Sequence, residues 1–71
     1  MSKETFSPVI IALCESLIDF YYYTLTLDSY CGNDNPNYRI ACGMAYNHCK
    51  KMYHHSKVET WIEVAKCIEQ I

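Results

Sequence analysis

Apolar positions in the first third of the chain recur three and four residues apart, which is the spacing of one face of an α-helix. A start signal precedes them: Ser7 can accept an orphan backbone N–H, and Pro8 loses nothing at the first helical position. The pattern predicts a helix from about residue 8 to 29. At about 100° per residue, Val9, Leu13, Leu17, Ile10, Tyr21, Cys14, Leu25, Ile18 and Ile11 follow one another around about 200° of its circumference, with Ala12, Glu15, Asp19 and Thr26 opposite. Two neighbouring helices cover only part of so wide an arc. The uncovered remainder is expected around Ile11, Ile18 and Tyr22. Residues 20–28, with three consecutive tyrosines, also have strand-favouring composition. No second run in the chain would pair with them, so helix is the expectation.

The clearest break is Cys31 to Pro36, which combines a candidate glycine C-cap at Gly32 with turn residues and a proline restart. A second helix is expected over about 36–54. Its inward face is Tyr38, Ala41, Cys42, Ala45, Cys49, Met52 and Tyr53, small at the centre and so open to close approach by the first helix. Ser56 and Glu59 fit a capping box, in which each side chain satisfies the other's backbone donor. That box would open a third helix over about 57–70, with Val58, Trp61, Ile62, Val64, Ala65, Ile68 and Ile71 on its apolar side. The expected fold is all-α, a single domain of three helices in which a helical hairpin is followed by a third, C-terminal helix.

Composition limits what such a fold can be. In a chain of 71 residues, folding buries only about 60% of the unfolded surface, so stability is thin. With 51% hydrophobic and 20% charged residues the chain is globular rather than disordered. A net charge of -2 does not suit a general nucleic-acid binder, which needs clustered Lys and Arg. The first 35 residues are acidic, whereas residues 36–56 carry Arg39, Lys50 and Lys51 and no acid, a difference that draws paired helices together. The five cysteines are odd in number, and the apolar run Val9 to Cys14 lacks a basic leader and is cut by Glu15, so no secretory signal is expected. Reduced, mostly buried thiols and a cytoplasmic location follow. A membrane span needs about 20 apolar residues, and Glu15, Asp19 and Asp28 interrupt the only candidate, so none is expected.

Catalytic and cofactor chemistry find little support. Helical metal ligands must be three or four residues apart to share a face. Among Cys31, Cys42, His48, Cys49, His54 and His55 no pair is so spaced, and no metal or cofactor is expected. His48 and Cys49 are adjacent, so their side chains diverge by about 100° on a helix and form no nucleophile–base pair. The only glycines, Gly32 and Gly43, make no phosphate loop. Lys50, Lys51, His54 and His55 complement the dipole at the end of the second helix and offer at most weak anion binding. Tyr46 and Tyr53, seven apart, form an outer stripe of a residue type enriched at interfaces.

The expected function is therefore non-enzymatic: an adaptor, regulatory subunit or inhibitor that occupies a surface of another protein. Ile11, Ile18, Tyr22, Tyr46 and Tyr53 are its candidate contacts, and a homodimer would be joined through the first helix. Two alternatives stand beside it. One is an oligomer that binds a small anionic ligand or nucleotide through Lys50, Lys51 and His54, and the other is a zinc-stapled structural domain.

Overall fold

The computed structural model describes residues 6–28 and 36–71. It contains three helices, α1 (Pro8–Thr26), α2 (Pro36–Ser56) and α3 (Glu59–Glu69), packed against one another. Ser7 is extended and its hydroxyl accepts the Ile10 N–H at 3.3 Å, with Pro8 behind it, as the start signal required. The tyrosine run is helical. α1 stops at Thr26, short of the expected end, because Leu27 turns left-handed (φ 61°) and donates its N–H to the Tyr23 carbonyl at 2.7 Å. Thr26 supports that stop by donating its hydroxyl to the Tyr22 carbonyl and accepting the Asp28 N–H. The break at Cys31 to Asn35, with the candidate cap Gly32, lies outside the described residues.

The core is a meeting of narrow rows. Ile10, Cys14, Ile18 and Tyr22, each four residues from the next, form one ridge along α1. They bury against Ala41, Ala45 and Cys49 of α2 and against Val64, Ala65, Cys67 and Ile68 of α3. The two alanines are fully buried and let the helix backbones come close. Among the described residues, no buried side-chain polar atom lacks a hydrogen-bond partner.

α2 and α3 form an antiparallel pair, and α1 packs against both. Next to the second joint the Tyr53 hydroxyl donates to Glu59 at 3.3 Å. Farther along, His48 meets Trp61 edge-on at 5.6 Å between ring centres, and Cys42 and Tyr46 share a groove with Ile68 and Glu69. α1 crosses this pair. Tyr38, in the first turn of α2, shares a depression with Glu15, Ile18 and Asp19, yet Tyr21 reaches His48, much farther along α2. The result is a flat molecule, 32 × 31 × 18 Å.

The expected capping box is not formed. Ser56 is the last residue of α2, where its hydroxyl donates to the Met52 carbonyl at 2.8 Å and accepts the Val58 N–H. Lys57, left-handed at φ 61°, closes α2 by donating its N–H to the Tyr53 carbonyl. α3 begins at Glu59 after Val58, which caps with no side-chain bond. Glu59 is drawn across the joint to Tyr53.

A left-handed residue with a Cβ is strained where glycine is not. Lys57→Gly is expected to raise stability by up to about 1 kcal/mol, net of the entropy that glycine adds to the unfolded chain. Thermal or urea unfolding checks this, and a lower melting temperature would mean that the Lys57 side chain contributes more than its backbone costs.

Candidate functional site

α1 has two apolar faces. The inner one is the core ridge already described. On the outer side Val9, Leu13, Ser16, Phe20 and Tyr23 are spaced four, three, four and three residues apart, and Leu27 at the cap extends the series by another four. All six are exposed, with Val9 at 66%, Phe20 at 62% and Leu27 at 74%. Alternation of three and four is the a/d repeat by which one helix seats its side chains in the holes of another. At about 100° per residue this outer row lies about 160° around the helix from the core ridge. Glu15 and Asp19 separate the two faces on one flank.

On the other flank the row runs into a groove of about 220 Å³ between α1 and α3, lined by Leu13, Ser16, Leu17, Phe20, Trp61 and Val64. Its wall is almost wholly apolar. Trp61 is held there edge-on by His48, which in turn is hydrogen-bonded through Nδ1 to the Tyr21 hydroxyl at 3.1 Å. Phe20 stands edge-on to Tyr21 at 5.3 Å. A chain of rings thus joins the outer row to the centre of α2. By length and composition α1 also suffices to cross a membrane, although the same test is passed by helices of soluble folds.

The expected contact strip is corrected by this placement. Ile18 is 1% exposed and Tyr22 5%, both in the core, and of the three only Ile11 is exposed. The arc is as wide as its periodicity predicts, but the neighbours cover its Ile18 edge and leave its Val9 and Leu13 edge open. Tyr46 and Tyr53 do not form a free stripe either. Both are half-buried and engage glutamates at opposite ends of α3: Tyr53 donates to Glu59, and the Glu69 carboxylate, by its hydrogen bond to the Tyr46 hydroxyl, raises the Tyr46 pKa. These two contacts tie α2 to α3.

The basic residues are dispersed. Lys50 lies over the Tyr46 ring at 5.5 Å and Lys57 over the Tyr53 ring at 5.8 Å. His54 and His55, both exposed, meet edge-on. Lys51 turns to a shallow depression lined also by Tyr21, Met44, Asn47 and His48. The residues expected to bind an anion are therefore split between three places. Among the described residues, no three of His, Cys, Asp and Glu converge to hold a metal. His48, weighed in the sequence only as a metal ligand or base, instead joins Tyr21 to Trp61: it follows Ala45 by three positions and so borders the inner face of α2.

Cys14, Cys49 and Cys67 are buried, Cys42 is half-buried, and all four are free thiols. Burial first, and then the hydrogen-bonded Cys67 thiol, push Cys14 up to about 12. Burial pushes Cys49 up to about 11. At neutral pH neither is a thiolate, so neither is a nucleophile. Compared with known family models, curated proteins and solved structures, the chain matches none.

Because both pKa values are higher in the fold than the ordinary 9.0, the native state holds these protons more tightly than the unfolded chain does. Stability is therefore complete below about pH 9 and falls as pH rises towards 12, in the direction that linkage requires. Alkaline unfolding followed by circular dichroism checks this. At pH 7 Cys14 and Cys49 should resist alkylation by iodoacetamide in the native state and react in urea; equal labelling in both conditions would show that the ridge is not closed.

Proposed function

We propose that the protein is a non-enzymatic protein–protein interaction module that acts through the outer face of α1. The observation that supports this reading is the exposed a/d row of Val9, Leu13, Ser16, Phe20 and Tyr23 beside the groove that Trp61 helps to line. Contiguous exposed apolar surface of this kind marks an interaction site. The matching partner is an α-helix that presents an apolar three-four repeat of its own, laid along α1 with side chains reaching the Leu17 and Trp61 groove. Adaptors, regulatory subunits and inhibitors all work by such occupancy. Free, largely buried thiols accord with action in a reducing compartment such as the cytoplasm.

A lipid surface is the rival occupant of an apolar helix face. Helices that lie on anionic membranes carry Lys and Arg along the polar side, whereas the polar flank of α1 presents Glu15 and Asp19 and the helix has no basic residue. A protein partner is therefore the reading adopted.

Leu13→Glu with Phe20→Glu is the test. Because both residues are exposed, the variant should keep its helical circular dichroism and lose no more than about 0.5 kcal/mol of stability. By contrast Ile18→Ala, in the core, should cost about 2 to 5 kcal/mol. Affinity capture from native extract should recover partners, second copies of the chain included, with the wild type and not with the double variant. Equal capture by both, or flotation of the wild type with phosphatidylserine vesicles in place of protein binding, would overturn the reading.

A further inference from the structure

The outer row of α1 has a self-complementary order, and the geometry points to a second copy of this chain as its occupant, with the two α1 helices paired antiparallel about a twofold axis level with residue 18. This inference rests on the reading of that row as a contact surface. In such a pairing Val9 falls opposite Leu27, Leu13 opposite Tyr23 and Ser16 opposite Phe20, because each pair is centred on the same point of the sequence. The largest side chain near the axis therefore meets the smallest in the row. Interdigitation of large with small is what close packing needs. In a parallel pairing Phe20 would meet Phe20 and Ser16 would meet Ser16, one contact overfilled and the next left hollow.

Twofold pairing through one self-complementary patch is the commonest way in which soluble chains associate. The row has apolar surface to bury: its large side chains Val9, Leu13, Phe20, Tyr23 and Leu27 are between 45% and 74% exposed. The pairing also brings the two Asp19 carboxylates to the same flank near the axis. Both are exposed, where water and salt keep their repulsion small.

Sedimentation equilibrium at tens of micromolar, with circular dichroism to verify folding, tests the pairing and its register. The wild type should sediment as a dimer. Ser16→Phe, which sets phenylalanine against Phe20 of the other copy, should weaken the dimer at least tenfold, and Ser16→Phe combined with Phe20→Ser should restore it. A dimer unchanged or tightened by Ser16→Phe alone would overturn the antiparallel register. A wild type that is monomeric at every concentration would overturn self-pairing altogether, while capture of another protein that depends on Leu13 and Phe20 would leave the broader reading of the face intact.

Discussion

Small side chains at the centre of α2 govern how the rest of the molecule packs. Ala41 and Ala45 are completely buried and bring the backbones of α1 and α2 close, so that the ridge Ile10, Cys14, Ile18 and Tyr22 has a shallow surface to settle on. A ridge of residues four apart is narrow, and once it is seated the opposite side of α1 is committed to face outward. Val9, Leu13, Phe20 and Tyr23 are then exposed as a consequence of which row the alanines accept. α3 closes the other side through Val64, Cys67 and Ile68, and its Trp61 marks the limit of what three helices cover.

The same packing explains what happens to the polar groups. With α2 and α3 forming the hairpin, the two glutamates at the ends of α3 face tyrosines of α2, and what reads in one dimension as an outer tyrosine stripe serves to tie two helices together. His48 is placed between Tyr21 and Trp61 because α1 crosses α2 there, so a residue bordering the core links all three helices. The thiols fill space in the way small apolar side chains do, and burial keeps Cys14 and Cys49 protonated.

Much of this was legible in the sequence and some was not, for identifiable reasons. The helices were signalled by apolar periodicity together with Ser7, Pro8 and Pro36, which act locally. The breadth of the apolar arc on α1 was legible too. Which edge of the arc remains open was not, since periodicity measures the width of a face and only the position of the neighbours decides which part they cover. Ser56 and Glu59 illustrate a second limit. The pattern of a capping box is satisfied by residue types, but the left-handed turn at Lys57 assigns Ser56 to the end of the preceding helix and releases Glu59 to Tyr53. The position at which α1 meets His48 of α2 and, through it, Trp61 of α3 is encoded by no local signal.

The central claim is that α1 carries one face for its own core and another for a second polypeptide. Hydroxyl-radical footprinting of the purified protein across a dilution series addresses both faces at once. Ile10, Ile18 and Tyr22 should be protected at every concentration, whereas Leu13, Phe20 and Tyr23 should be labelled in dilute solution and become protected as concentration rises through the micromolar range. Equal labelling of Leu13, Phe20 and Tyr23 at all concentrations would contradict self-association, and labelling of Ile18 and Tyr22 in the folded protein would contradict the assignment of the two faces.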